Sequence, residues 1–503
     1  MKKARIGLYS VGLEAYWSQF PTLKERLLGY NQHVKDQIEQ WADVCNFGLV
    51  DSEQAGRTAG EYFQENQVDL IFCHAATYCT SASILPIHRM CSVPVIFLNL
   101  QPTRQINYAK TSTEEWLAHC GACPVPEFAN ACHRANISYH VVNGLLGLTE
   151  TPTVSIANEV TAEEPEAIAA WVQIKEWTVA ATVKRSLQYS NFGFLGNTYS
   201  GMLDMYSDFT MLQSQLGIHV DVLEIGDLKE QLEQVLDEEV RTKRAEIESV
   251  FTISDDSHSD PIAKKPTEMQ LNWAAKVAAA EEQLADQRNL AALTYYYHGA
   301  PGSEEEALQA GMIVGNSLLT AKHVPCAGEG DLKTNIAMKI CDLLDAGGSF
   351  AEIVLTDYVE ETILLGHDGP FHIAIAKDKP ILRGMGLYHG KQGSGVAVEA
   401  KVKAGPVTTL NVTQTVEGNV KFIISEGIAI DAPIMQIGNT QTHVSFNEHP
   451  DAYMTRWFKE ASTHHCALAV GNIASQLEKI SVLLDVEYVI SVNLPSSKSL
   501  NSN

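Results

Sequence analysis

Two carboxylates and two histidines in the last third of the sequence stand in contexts that suit metal chemistry. Glu329 lies between two glycines, Glu352 ends Gly-Gly-Ser-Phe-Ala-Glu, His367 is part of Gly-His-Asp-Gly, and His465 ends Thr-His-His. Carboxylate oxygens and imidazole nitrogens together bind divalent metal ions, and they move protons beside such an ion. If these side chains converge in space, the sequence predicts a metalloenzyme.

Glu329 has the most specific surroundings. Gly328 and Gly330 allow a sharp backbone turn around it, and Asp331 is expected to cap a helix predicted over 332–344. The free amides at a helix start favour an ionised carboxylate nearby, as a metal ligand or a general base requires. An ordinary loop that enters a helix is the alternative interpretation.

Glu352 and His367 are predicted to flank a pair of strands. Glycines precede the first strand, and Gly366, Gly369 and Pro370 shape the turn at His367. An ordinary hairpin loop with one histidine is the alternative. Asp357 lies on the same stretch and is the reserve carboxylate if Glu352 points elsewhere.

The histidine pair at 464–465 is predicted to open a helix that runs to about residue 484. Neighbouring side chains diverge on a helix, so only one of the two histidines is expected to face a given site, and His465 is preferred. A surface pair of histidines is the alternative interpretation.

The elements that must position these residues change character along the chain. The sequence predicts two doubly wound parallel-sheet α/β domains, at 1–170 and 171–347, because short apolar strands alternate with helical stretches there. Strands dominate after residue 348, which predicts a C-terminal antiparallel β-barrel-like domain over 348–503 with closing helices. In the parallel sheets the ligand side is the carboxyl edge of the strands.

Charge excludes several classes of partner. The chain has 503 residues and a formal net charge of −25, so neither nucleic acid nor an anionic membrane surface is expected as a partner. No apolar run is long enough to span a bilayer, and the first residues lack the pattern of a signal peptide. We therefore expect a cytoplasmic protein.

Two further motifs carry weaker signals. Cys120-Gly-Ala-Cys123, followed by Cys132-His133, resembles a structural zinc cluster, but the second pair lacks zinc-ligand spacing and rim or packing roles are favoured. The stretch Gly-Asn-Thr-Tyr-Ser-Gly at 196–201 follows a predicted strand but lacks the lysine of a phosphate-binding loop. A loop at the rim of a small-ligand site fits it equally well.

The four segments together resemble the L-arabinose/L-fucose isomerase family, closest to its arabinose-isomerase branch. Residues 329–334 read Glu-Gly-Asp-Leu-Lys-Thr where that branch has Glu-Gly-Asp-Trp-Lys-Thr, and 349–352 read Ser-Phe-Ala-Glu for Ser-Phe-Met-Glu. Leu-Gly-His at 365–367 is similar to the family's Leu-Gly-Ser-His, and 464–465 match its histidine pair. The order of the segments is the family's order.

The resemblance implies an aldose–ketose isomerase that uses Mn²⁺ or a similar divalent ion and an ene-diol intermediate. It implies metal ligands at Glu329, Glu352, His367 and His465, with Glu329 and Glu352 also moving protons. It further implies a homo-oligomer, a trimer or hexamer. The residues that would bind the sugar are Glu14, Tyr16, Trp17, Tyr78, His119 and Met202.

Two other classes compete with this reading. A non-catalytic sugar-binding protein would explain two linked α/β units, though not the carboxylates and histidines of the last third. A metal-dependent hydrolase or lyase on a sugar-like substrate would use the same ligands with a bound water. The identity of the sugar is left open, because the N-terminal segment departs most from the family.

Overall fold

The computed structural model divides the chain into two compact units, 1–186 and 187–503. The predicted boundaries at 170 and 347 stay predictions. Across the described residues no helix combines the length and apolar character that crossing a membrane requires. The structure describes residues 2–255, 260–296, 299–300, 302–385, 387–388, 391–392 and 395–492.

The first unit contains a five-stranded parallel sheet with helical connections. Its strands are β1 (Arg5–Val11), β2 (Asp43–Val50), β3 (Leu70–His74), β4 (Val95–Gln101) and β5 (Tyr139–Leu145). Its helices are α1 (Leu23–Ile38), α2 (Glu53–Glu65), α3 (Ser81–Met90), α4 (Thr113–Leu117), α5 (Val125–Arg134) and α6 (Pro165–Gln188). The strand order is β2-β1-β3-β4-β5. Every residue of β3 is buried, as expected for a parallel strand covered on both faces.

The second unit has seventeen strands and eight α-helices among its described residues. The strands are β6 (Asn191–Gly196), β7 (His219–Leu223), β8 (Thr252–Ile253), β9 (Ala263–Lys264), β10 (Ala292–Tyr296), β11 (Cys326–Ala327), β12 (Gly347–Asp357), β13 (Thr362–His367), β14 (Ile381–Met385), β15 (Leu387–Tyr388), β16 (Lys391–Gln392), β17 (Val396–Glu399), β18 (Gly405–Gln414), β19 (Val420–Ile430), β20 (Thr440–Ser445), β21 (His465–Val470) and β22 (Glu487–Val492). The helices are α7 (Phe209–Leu216), α8 (Ile225–Gln234), α9 (Asp237–Val250), α10 (Glu268–Gln287), α11 (Glu304–Ala321), α12 (Leu332–Leu343), α13 (Pro450–Lys459) and α14 (Ala474–Leu484).

The two main sheets of the second unit are a parallel sheet and a large, mostly antiparallel sheet. The parallel sheet has the order β11-β10-β6-β7, and the large sheet has the order β18-β21-β12-β13-β20-β19-β22. Within the large sheet only β19 and β22 run parallel, and β18 also pairs with β19. The prediction of parallel α/β regions followed by an antiparallel β region is therefore confirmed at this level.

The histidine pair does not open a helix, so that part of the sequence prediction was wrong. His465 begins β21, which lies between β12 and β18, and the following helix α14 starts only at Ala474. The run Cys-Ala-Leu-Ala after His465 is buried and apolar. A short apolar run of this kind does not distinguish a buried strand from a buried helix.

Candidate metal and active site

Glu329 stands in a strained turn between β11 and α12. Its φ is +63°, a left-handed conformation that non-glycine residues adopt at a cost of roughly 1–2 kcal/mol. Gly330 follows at φ +70°, and a Cβ there would lie 2.2 Å from the carbonyl oxygen of Asn197. The turn is held because the Tyr199 amide donates to the Glu329 carbonyl at 2.9 Å. Position 330 therefore requires glycine, because its φ is positive and because a Cβ would clash with the Asn197 carbonyl.

Asp331 joins the start of α12 to His465. Its side chain caps the helix, accepting from the Thr334 amide at 2.9 Å and from the Thr334 hydroxyl at 2.8 Å. Asp331 Oδ2 also lies 2.9 Å from His465 Nδ1, and both side chains are fully buried. A carboxylate at Nδ1 fixes the ring and its tautomer, leaving the Nε2 lone pair as the ligand atom. The predicted helix cap is confirmed, and its role as the partner of His465 is new.

The register of the large sheet brings the other carboxylate to the same histidine. Glu352 on β12 is paired with His465 on β21, and on its other side with Gly366, which precedes His367 on β13. The rings of His367 and His465 lie 5.0 Å apart. Both pack on buried Phe350, at 4.6 and 4.3 Å between ring centroids. Paired strands therefore hold three of the four predicted ligands.

Two overlapping groups of candidate ligands share His465. In one group Glu352, His367 and His465 each offer an atom within 4.8 Å of the others, and in the second group Glu329, His464 and His465 do so. The structure thus gathers all four predicted ligands around one buried imidazole. The reserve carboxylate Asp357 is not in either group, because its Oδ1 accepts two backbone amides in the turn after β12.

Orphaned acceptor atoms at the centre of this cluster fit a cation. Glu329 Oε2 and His465 Nε2 are buried, make no hydrogen bond and face each other at 3.6 Å. With Nδ1–H donated to Asp331, the Nε2 atom is an acceptor, so two acceptors meet with no donor between them. A divalent ion that takes oxygen and nitrogen ligands would relieve this contact.

The protonation tendencies of the ligands agree with that reading. Burial lowers the pKa of His465 despite the opposing effect of Asp331, which favours the neutral ring that binds metals. Burial acts to raise the pKa of Glu329, but His464, His367 and His465 outweigh it and hold that pKa below the ordinary value. Burial acts to lower the pKa of His367, yet Asp368 and Glu329 raise it. The carboxylate is therefore ionised and one histidine is neutral.

His464 is a functional candidate that sequence reasoning missed. His464 immediately precedes β21, and its ring reaches the cluster together with that of His465, with centroids 3.8 Å apart. His464 Nδ1 lies 2.6 Å from Asp204 Oδ2, and its Nε2 lies 3.9 Å from Glu329 Oε2. Burial acts to lower the pKa of His464, but the two carboxylates raise it to about 9. Asp204 is far away in the sequence, so no local pattern indicates this pair.

A cavity of about 190 Å³ adjoins the cluster within the second unit. Its lining includes Glu329, His367, Tyr199, Met202 and Tyr296. Met202, one of the predicted sugar-binding residues, thus shares a cavity with two predicted metal ligands. A cavity of this kind admits only a small molecule.

The other predicted sugar-binding residues lie in the first unit. Glu14 and Tyr16 belong to a 3₁₀ helix that follows β1, and the Trp17 indole donates to Asp51 at 2.8 Å. The Tyr78 hydroxyl lies 3.3 Å from Glu127, and His119 Nδ1 bonds to the Glu115 carbonyl at 2.8 Å. Their role in binding a sugar stays a prediction.

The cysteine motif gives no sign of a shared ligand set in the described part of the chain. Cys132 is buried in the apolar core of the first unit, whereas His133 and Cys123 are exposed. Side chains that point to core and solvent respectively do not converge on one ion.

Known proteins match two parts of the chain. Residues 207–347 match the family model for the L-arabinose isomerase central domain, and residues 378–491 match that for the L-fucose isomerase C-terminal domain. L-arabinose isomerase 2 of Bacillus licheniformis is 22% identical over 330 residues, which covers 63% of this chain and 66% of that protein. The match thus spans just under two thirds of the relative's length. These matches, in the order that the four segments predict, place the chain in the L-arabinose/L-fucose isomerase family.

Proposed function

We propose that this protein is a metal-dependent aldose–ketose isomerase, an intramolecular oxidoreductase acting on a pentose, hexose or deoxysugar in the manner of L-arabinose isomerases. One observation carries the proposal. Two carboxylates and two histidines meet around His465, where Glu329 Oε2 and His465 Nε2 face each other unbonded at 3.6 Å beside a small cavity.

The reaction needs two proton movements between neighbouring carbons. A carboxylate removes the proton from C2 of the aldose, and the C2–H electron pair forms the double bond of an ene-diol. A proton is then delivered to C1, while a proton moves from O2 to O1, so C2 is oxidised and C1 is reduced without any outside reagent. Glu329 and Glu352 are the proposed proton carriers, since both are carboxylates at the cluster.

Four residues would hold the metal, for which we propose Mn²⁺. These are Glu329, Glu352, His367 and His465, with Asp331 fixing the tautomer of His465. The ion would supply a positive charge that stabilises the ene-diolate oxygens. The mixed oxygen and nitrogen donors suit Mn²⁺ better than a softer ion that prefers thiolates.

The proposal extends to the sugar-binding residues and to the assembly. Met202 would contact the sugar, since it lines the cavity with Glu329. Family membership supports the same role for Glu14, Tyr16, Trp17, Tyr78 and His119, and it supports a homo-oligomer, a trimer or hexamer. It also supports a barrel-like C-terminal domain, with which the pairing of β18 to both β21 and β19 agrees.

The test is a panel of pentoses, hexoses and deoxysugars incubated with the Mn²⁺-loaded protein. We expect ketose from at least one aldose, and a loss of at least about a thousandfold in turnover for Glu329→Gln. Glu417→Gln, a matched change at an exposed turn, should leave turnover unchanged. Tight sugar binding without ketose would favour a binding protein, and a product that has lost water would favour a lyase.

A further inference from the structure

The carboxylate that orients His464 stands on a short surface turn. We call residues 203–207 the Asp204 turn, in which Leu203–Met205 forms a 3₁₀ helix. Leu203 is 72% exposed and Tyr206 is 48% exposed, whereas Met205 is fully buried. Such a turn is free to move unless buried contacts hold it.

Asp204 holds His464 by two bonds to one oxygen. Oδ2 accepts from the His464 backbone amide at 2.9 Å and from Nδ1 of its ring at 2.6 Å. The two bonds fix both the position of the residue and the rotation of its imidazole. The other ring nitrogen then lies 3.9 Å from Glu329 Oε2, at the edge of the ligand cluster.

A buried lysine ties the turn to α12. Lys333 is only 2% exposed, and its Nζ donates to the Tyr206 carbonyl at 3.0 Å and to the Ser207 hydroxyl at 3.3 Å. Among the described residues it has no ion-pair partner within 4.0 Å. Burial lowers the pKa of Lys333, since desolvation disfavours the charged form. Burying this ammonium is costly, and the attraction of Asp331 and Asp204 opposes the effect of burial on its pKa.

We propose that Lys333 and Asp204 are positioning residues for His464, with Lys333 anchoring the Asp204 turn and Asp204 orienting the imidazole towards Glu329. In the proposed isomerase, on which this role rests, His464 would then be held in one orientation at the edge of the cluster, beside the reacting atoms. Neither Lys333 nor Asp204 belongs to the four proposed ligands, so metal affinity is not expected to depend on them.

Kinetics on Asp204→Ala, Lys333→Met and the double variant test whether Lys333 acts through Asp204. Asp204→Ala should lower kcat about a hundredfold and Lys333→Met about tenfold, with KM and Mn²⁺ affinity nearly unchanged, because a misplaced group near the reacting atoms affects turnover first. The double variant should match Asp204→Ala alone, since Lys333 acts through Asp204. Losses that multiply in the double variant, or an unchanged kcat in Lys333→Met, would overturn the proposal.

Lys339→Met is the matched control. Lys339 is also buried on α12, and its Nζ also donates to a backbone carbonyl, that of His323 at 2.8 Å, as well as to Asp342. The same substitution therefore removes an equivalent anchor from another loop. Its kcat should stay at the wild-type value, and an equal loss would mean that Lys333 acts only through general stability.

A spectroscopic measurement tests the positioning role independently of the proposed isomerase activity. The Nδ1 proton of His464 should give a downfield, exchange-protected signal in the NMR spectrum, assigned by its absence in His464→Gln. It should be lost in Asp204→Ala and exchange rapidly in Lys333→Met, but persist in Lys339→Met. An unchanged signal in Lys333→Met would refute the positioning role. A wild-type protein that is inactive on every aldose would refute the proposed isomerase activity but not the positioning role.

Discussion

Two separate clusters of acids and histidines lie among the described residues, and they differ in whether an arginine bonds to their carboxylates. In the first unit Glu115 and Glu159 lie near His119, and Arg26 donates to both carboxylates, with Nη1 2.7 Å from Glu115 Oε2. In the second unit Glu329 and Glu352 lie near His465, and no arginine or lysine ion pair to either carboxylate is present among the described residues. In the first cluster an arginine bonds to both carboxylates, whereas in the second Glu329 Oε2 and His465 Nε2 face each other without a hydrogen bond.

The comparison shows why ligand type alone does not define a metal site. We call the cluster in the first unit, Arg26 with Glu115, Glu159 and His119, the Arg26 cluster. Both of its carboxylates also accept other hydrogen bonds, from the Tyr30 hydroxyl to Glu159 at 2.7 Å and from the Ser155 hydroxyl to Glu115 at 3.2 Å. Burial acts to raise the pKa of Glu115, but Arg26 holds it below the ordinary value. A divalent ion would have to displace a guanidinium there, so the cluster is a structural ion network.

The largest expected effect is on the Arg26 cluster. Arg26→Met should destabilise the protein by about 3–5 kcal/mol, because it leaves two buried carboxylates without their cation. Chemical denaturation measures the loss, and Arg57→Met, at an exposed pair, should change stability by less than about 0.5 kcal/mol. If Arg26→Met were as stable as Arg57→Met, the two clusters would not differ as described.

The second expected effect is stabilisation by metal. Mn²⁺ at a hundred times its dissociation constant should raise the free energy of unfolding by about 2.7 kcal/mol. His465→Ala should abolish this gain, whereas the matched change at exposed His219 should keep it. Thermal unfolding with and without Mn²⁺ measures both gains, and a gain that survives His465→Ala but is lost in Glu159→Gln would assign the metal to the cluster of Glu115, His119 and Glu159 instead.

A smaller effect is expected from the carboxylate behind His465. Asp331→Asn should weaken Mn²⁺ binding about tenfold to a hundredfold, because the charge that fixes the ring at Nδ1 is removed. Asp342→Asn, at another buried carboxylate of α12, is the control and should bind Mn²⁺ normally. Titration calorimetry gives both affinities, and equal values would show that Asp331 serves only as a helix cap.

The smallest effect is the pH dependence of metal binding. Despite burial, Asp368 and Glu329 raise the pKa of His367 above its ordinary value, so a metal must displace a proton from this ring below that raised pKa. Apparent Mn²⁺ affinity should therefore fall about tenfold per pH unit as the pH drops through it, and level off above it. Calorimetry between about pH 6 and 8 measures this dependence. Asp368→Asn should shift the curve to lower pH, and a flat curve would exclude proton displacement.

Much of the cluster could be predicted because its signals are local. The glycines around Glu329, the cap at Asp331 and the strand pair that carries Glu352 and His367 are all visible in short stretches of sequence. The parallel sheet of the first unit follows in the same way, from short apolar strands that alternate with helices.

The remaining features depend on contacts between distant residues. The run after His465 reads equally well as helix or strand until β12 and β18 pair on its two sides. Asp204 and His464 are 260 positions apart, so no spacing rule links them. Arg26 likewise neutralises carboxylates that come much later in the chain. These features depend on strand pairing and ion pairing between distant residues, which short stretches of sequence do not show.

The pairing of Glu352 with His465 has a consequence for the order of folding. The ligand set is complete only after β21 has inserted between β12 and β18, strands that come from distant parts of the chain. Contacts between such distant segments form late, since a long loop must close first. A metal that binds this site would therefore lower the unfolding rate and leave the folding rate nearly unchanged, because the site is not yet formed in the folding transition state.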